Sequence, residues 1–203
     1  GGSPYHHRVA TAEDRSASVI RWAWLLLMCW PLASVADDAL TEVMRMLAAV
    51  PAMEGTFREE KTLAVLQEPL VTTGLLYYRA PAFLRKRTLA PQPEDYEADG
   101  DWLTVETPAA GRRQFDLNGY PQLRPFVEAI RATQAGDRAT LERYYRLEFQ
   151  GTPADWSLRL TPRDPQATTY VTAIVLRGRD GSISSMETLE PDGDRSLMTI
   201  TTR

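Results

Sequence analysis

The amino-acid sequence predicts a mainly β protein with helices, built on one large, strongly curved antiparallel sheet. Three observations predict it. Short runs with a period of two recur along most of the chain, Gly, Pro and Asp bound nearly every run, and helical spacing is confined to an opening segment and one later insertion. About ten short strands are expected, with no internal repeat and no Ser/Gly or Pro linker that would divide them between two domains.

The first 36 residues read as something other than fold. Arg21 supplies a positive flank, Trp22 to Trp30 a short apolar run, and Ser34-Val35-Ala36 the small residues a signal peptidase reads. Residues 1–36 are therefore expected to be an export signal and leader. A start near Val19 would give a signal of more ordinary length. The run is shorter than the about 20 apolar residues a spanning helix needs, and Pro31 lies near its end, which argues against a retained anchor. Met28 stands before Cys29, where a lipid-anchored cysteine would follow a small residue. Residues 37–203 are then one domain, expected in the periplasm and long enough to bury a sizeable core.

Asp37 or Asp38 is placed to cap a helix carrying Leu40, Val43, Met44, Leu47 and Val50 at three- and four-residue spacing, ended by Pro51. The period then changes to two. Met53, Gly55 and Phe57 share one strand face, and after a turn near Gln67-Glu68-Pro69 the run Gly74 to Arg79 forms the next strand. Phe83 to Leu89, Tyr96 to Ala98, Trp102 to Glu106 and Arg113 to Leu117 continue an antiparallel meander. Helical spacing returns from Pro121 or Pro125 through Phe126, Val127, Ile130 and Ala132, with a further turn after Gly136-Asp137 through Leu141. Five more strands close the chain: Tyr144 to Phe149, Trp156 to Leu160, Tyr170 to Leu176, Ile183 to Leu189 and Leu197 to Thr202.

Composition removes most covalent chemistry. The two histidines, His6 and His7, and the one cysteine, Cys29, all lie in the expected leader, so the domain has neither. Zinc sites of the usual kind lack their ligands, and a Ser or Cys nucleophile lacks its His base. No Ser stands three residues before Lys61 or Lys86, and no glycine-rich phosphate loop precedes a helix. Asp192-Gly193-Asp194 is better read as a hairpin turn than as a calcium loop. Glu59, Glu60, Asp99 and Asp101 supply carboxylates for a hydrolase, but their polar, turn-rich surroundings favour solvated surface. The expectation is a non-enzyme with no metal and no cofactor.

The net charge is −4, and losing Arg8, Arg15, Arg21, Glu13 and Asp14 with the leader makes it about −5, which disfavours nucleic acid as a partner. Nearly all cations are Arg, which reads as compositional habit. With no cysteine the domain has no disulfide, so its stability must come from its core.

A curved sheet must fill its concave face. The helices around Leu40 to Val50 and Phe126 to Ile130 can plug it completely, giving an ordinary core, or roof a lipid cavity lined by the same residues. Sequence leaves both states open.

Two motifs carry a resemblance. Gly74-Leu-Leu76-Tyr-Tyr-Arg79-Ala-Pro81-Ala-Phe-Leu84 with Asp99-Gly100-Asp-Trp-Leu103 resembles the strand-Pro-strand and Asp-Gly hairpin of the periplasmic outer-membrane lipoprotein carrier family (LolA-like). Trp156-Ser-Leu158-Arg-Leu160-Thr-Pro162-Arg163 is similar to its late apolar strand. The order of elements agrees over essentially the whole of 37–203. The resemblance implies an incomplete (half) β-barrel covered by a helical lid. It would carry the acyl chains of a lipoprotein or other lipid from an inner-membrane releasing complex or exporter to an outer-membrane acceptor lipoprotein, as a monomer.

On that reading, Met53, Phe57, Leu76, Tyr78, Leu84, Leu103, Phe126, Ile130, Leu158 and Leu160 are the expected lipid-binding residues. In the family an arginine directly before the proline latches the lid. Here Ala80 holds that position and Arg79 faces the other side of its strand, which resembles a LolA-related branch whose cargo is another lipid, such as a glycolipid. The cations Arg85-Lys86-Arg87 are expected at the mouth or in solvent. The alternative function is a non-enzymatic protein-interaction or signalling module on the same half-barrel, docking a partner at its sheet edge.

Overall fold

A computed structural model describes residue 2 and residues 32–203. The expected signal features at Arg21, Trp22 to Trp30 and Pro31, with His6, His7 and Cys29, lie outside the described residues. Alternation gives eleven strands: β1 Ala52–Thr62, β2 Leu70–Arg79, β3 Phe83–Ala90, β4 Glu94–Asp99, β5 Trp102–Thr107, β6 Gly111–Asp116, β7 Tyr145–Thr152, β8 Asp155–Pro162, β9 Ala173–Arg179, β10 Ser182–Leu189 and β11 Arg195–Thr202. The helices are α1 Leu32–Ala48, α2 Arg124–Gln134 and α3 Arg138–Tyr144. Ala33–Arg203 forms one unit.

All eleven strands join one antiparallel sheet in the order β6-β5-β4-β3-β2-β1-β11-β10-β9-β8-β7. Two meanders meet where the first strand pairs the last, Phe57 opposite Ile200 and Glu59 opposite Met198. Among the described residues the ends β6 and β7 do not pair, so the barrel stays open. The chain joining them is α2 and α3, and so the insertion covers the concave face.

The two sheet halves are filled differently. Leu40, Val43, Met44 and Leu47 of α1 pack with Leu158, Leu160, Ile174, Leu176 and Ile183 of β8 to β10, and with Ala129, Ala132, Leu141 and Tyr145. A much smaller cluster, Phe57, Leu76 and Met198, lies on the other half, touched by Met186 and Ile200. Helix α1 is therefore a plug for the C-terminal meander. Among the described residues, the N-terminal meander is roofed by α2 alone.

Two local expectations are corrected. The opening helix starts at Leu32, so Asp37 and Asp38 lie within it and do not cap it. Asp37 instead binds Arg138 of α3 at 2.7 Å. Tyr170 to Thr172 are not strand: a 3-10 turn at Ala167–Thr169 precedes them and β9 begins at Ala173. The helical insertion begins at Arg124, with Pro125 in its first turn, where a missing N–H costs nothing.

Asp137 caps α3 by accepting from the Thr140 backbone N–H at 3.0 Å. Gly136 before it has φ of +64°, and a Cβ there would stand 2.1 Å from the Met44 carbonyl oxygen. Only glycine lets the chain turn between α2 and α3 this close to α1. Arg163, the last residue of the Thr-Pro-Arg motif, donates from Nε to the Glu142 and Tyr145 carbonyls at 2.8 and 3.0 Å. That fixes the α3–β7 junction against the end of β8.

Candidate functional site: an apolar hollow under a latched helix

Three stripes run along α2. Ala129 and Ala132 are buried against the α1 core. Phe126, Val127 and Ile130 face the N-terminal meander across a hollow of about 320 Å³, whose other walls include Leu76, Leu84, Ala98 and Leu103. Glu128 and Arg131 form the third stripe, and their side chains are only 9% and 7% exposed.

That buried pair latches the helix. Arg131 donates to Glu128 from Nη2 at 2.5 Å and from Nε at 3.2 Å. Its Nη1 donates to two hairpin carbonyls, Ala82 in the β2–β3 turn at 3.1 Å and Gly100 in the β4–β5 turn at 2.5 Å. Two further ties hold the N-terminal end of α2: the Tyr145 hydroxyl donates to the Pro125 carbonyl at 2.7 Å, and Arg124 meets Asp101 at 2.7 Å. Arg79 has no part in this. Its guanidinium lies 4.7 Å from the Phe83 ring centroid, on an exposed residue. Where the resemblance implies an arginine before Pro81, the structure has Ala80, and the arginine that ties helix to hairpin turns is Arg131 on the helix.

The structure brings together five of the ten residues the sequence singled out: Leu76, Leu84, Leu103, Phe126 and Ile130 line the hollow. Leu158 and Leu160 do not. At 1% and 0% exposure they belong to the filled core under α1, because β8 lies in the plugged half of the sheet. Phe57 is buried beside the hollow rather than lining it, and Met53 lines a separate recess near Val50 and Gln134. Tyr78 is buried too, and its hydroxyl has no hydrogen-bond partner among the described residues. Burial pushes that hydroxyl's pKa up.

Sequence reasoning passed over Met186 and Met198, which also line the hollow, and left Lys86, which lines it too, between the mouth and solvent. The two methionines stand opposite each other in β10 and β11, a pairing that long-range register alone decides. Lys86 could have been found: it lies two residues from Leu84 on the same strand face, whereas Arg85 points outward to Asp95 at 2.5 Å. Its ammonium sits 4.9 Å from the Phe57 ring centroid and donates to the Glu59 carboxylate, which also accepts from Ser196. Burial pushes the Glu59 carboxyl up, but Lys86 and Ser196 outweigh it and hold it below the ordinary carboxylate range. The pair therefore adds stability at neutral pH that is lost as pH falls through that lowered value.

A larger cleft, about 550 Å³, opens between the start of α1, α3 and β7. Asp37, Arg138, Glu142, Arg146, Glu148 and Arg163 line it, and charges this dense have to keep their water. Hydrocarbon fits the smaller hollow.

An open half-barrel with a helical lid over an apolar hollow defines a class of binding protein. The model of the outer membrane lipoprotein carrier protein LolA-like family matches residues 32–202, and the chain belongs to that family. No curated protein matches it. Among solved structures it is similar to a LolA superfamily protein from Nitrosomonas europaea, at 10% identity and TM-score 0.45, covering 82% of this chain and 91% of that one. MucB aligns at 19% identity and TM-score 0.46 over 85% of this chain but 59% of its own length. The lipoprotein LppX of Mycobacterium tuberculosis aligns at 13% and 0.41, over 81% and 94%. The chain is thus a LolA-like module.

Proposed function

We propose that this protein is a periplasmic carrier that takes up an acyl chain of a lipoprotein or other lipid and passes it toward the outer membrane, without covalent chemistry. One observation carries this reading: the apolar hollow under α2, which the chain's own side chains leave open although the rest of the concave face is packed. Its 320 Å³ stands at the lower end of the about 300–1,000 Å³ typical of small-molecule sites. Each methylene moved from water into it contributes about 0.8 kcal/mol, so affinity rises with chain length until the hollow is full.

An inner-membrane releasing complex or exporter would load the protein, and an outer-membrane acceptor lipoprotein would unload it. Transfer by differential affinity needs a lid with more than one position, and α2 is held by a few polar contacts that can be exchanged. Docking of a partner strand at a sheet edge is the weaker reading. Edge strand β6 carries Arg112, Arg113 and Gln114, all exposed, and charges of this kind blunt strand addition.

The test is the fluorescence of N-phenyl-1-naphthylamine, an apolar probe. Saturable enhancement at one probe per chain, reversed by lysophospholipid or by a diacylated lipopeptide, is the expected result. A protein that leaves the probe dark, and from which no lipid can be extracted after passage over lipid vesicles, is not a carrier.

A further inference from the structure

The hollow is apolar except at one position. Among the described residues lining it, Lys86 is the only charged side chain, and Tyr96, opposite it in β4, is the only other polar one. Leu84, Ala98 and Leu103 carry the walls along the strands toward the latched turns, Leu84 opposite Ala98 and Ala98 opposite Leu103, while Leu76 stands opposite Lys86 and Met198 opposite Glu59. The site therefore has a direction, with unbroken hydrocarbon between Lys86 and the Arg131 latch and the cation away from that latch.

Lys86 is neither a solvated lysine nor a saturated one. Its side chain is 29% exposed, and an ammonium has three N–H donors. One is given to Glu59, while the Phe57 ring takes up a face of the charge. At least one donor remains for whatever fills the hollow. Glu59 is occupied on both oxygens, by Lys86 and Ser196, so it is fixed in place and keeps the pair neutral overall. The Tyr96 hydroxyl is turned to Glu94 at 3.3 Å and adds no positive charge.

That neutrality decides the ligand. A carboxylate or phosphate pushed against Lys86 would leave two anions to one cation beside a pair whose side chains are only 29% and 19% exposed, and an unbalanced charge in so partly solvated a place is costly. A carbonyl oxygen can accept from Lys86 without disturbing the balance. We propose that Lys86, held by Glu59, is an acyl-carbonyl subsite: the hollow selects ester- or amide-linked acyl chains, as in an acylated lipid or lipoprotein, over the free fatty acid of the same length. This rests on the carrier reading and names the chemical form of the cargo.

The experiment displaces N-phenyl-1-naphthylamine with a matched pair, methyl dodecanoate and dodecanoate, at pH 8 and below their aggregation limits. A hydrogen bond from a charged donor corresponds to roughly tenfold or more in affinity, so the ester should bind at least about tenfold tighter than the acid. Glu59→Gln leaves Lys86 unbalanced and should reverse the order in favour of dodecanoate. The double substitution Glu59→Gln with Lys86→Met removes both charges together, and should abolish the preference, read as the ratio of the two displacement constants within that variant. Equal binding of ester and acid by the wild-type protein overturns the subsite, as does a preference that survives the double substitution. If neither ligand displaces the probe, or the probe does not bind, the carrier reading itself falls and the subsite with it.

Discussion

Arg131→Met should lower unfolding free energy by about 3 kcal/mol, because it leaves the Glu128 carboxylate, 9% exposed, with only the longer 3.7 Å contact to Arg124 and frees the Ala82 and Gly100 carbonyls. Urea denaturation measures the loss as a shift in midpoint at unchanged slope. The same substitution should do something a core mutation would not. Hydrogen exchange should accelerate in α2 more than in β8 or β9, since the three contacts it removes tie that helix to itself and to the two hairpin turns. Probe uptake should become faster for the same reason. Combining it with Glu128→Leu removes that carboxylate as well and should restore most of the stability while leaving the helix unlatched. Arg79→Ala is the control. Its exposed side chain lies on a half-buried ring and has no contact with the latch, so its effect should stay within about 0.5 kcal/mol.

Ala98→Phe should reduce acyl-chain and probe affinity by at least about tenfold while leaving stability unchanged or slightly higher. Ala98 is 3% exposed and stands on the floor of the hollow opposite Leu84 and Leu103, so a phenyl ring there occupies space the ligand needs. Filling space that holds no protein atoms adds buried apolar area without displacing any, and it avoids the cost of overpacking. Leu158→Ala supplies the contrast. It opens a void in the packed half, where large-to-small changes cost about 2–5 kcal/mol, and should leave probe affinity nearly unaltered. If both variants lose binding and stability in parallel, hollow and core are one cooperative body rather than a plugged half and an open half.

The two halves look alike in sequence, which is why the site was only partly legible there. Alternation and turn residues locate the strands closely: Gly74 to Arg79 falls within β2, and Trp156 to Leu160 within β8. They do not say which strands α1 will lie against. Leu158 and Leu160 alternate as Leu76 and Leu84 do, and only the pairing of β1 with β11 and the seat of α1 put the first two in a filled core and the second two beside empty space.

The latch was hidden for a related reason. A family pattern directs attention to the residue before Pro81, yet the contact that matters is between backbone carbonyls and whichever arginine reaches them. Arg131 does so from a helix whose Glu128–Arg131 spacing reads as an ordinary surface pair. Lys86 was legible and misjudged. Its parity with Leu84 turns it inward, but standing between two arginines it passes for one member of a solvated cationic run.

The most direct measurement of the central claim is anomalous diffraction from crystals grown with a lysophospholipid whose acyl chain ends in bromine. A single bromine peak between Ile130 of α2 and the Ala98–Leu103 floor, at the latched end and away from Lys86, is the result expected of an acyl-chain carrier. Saturation of the crystals with no bromine in that hollow, or a hollow occupied by the protein's own side chains with the lipid elsewhere, contradicts it.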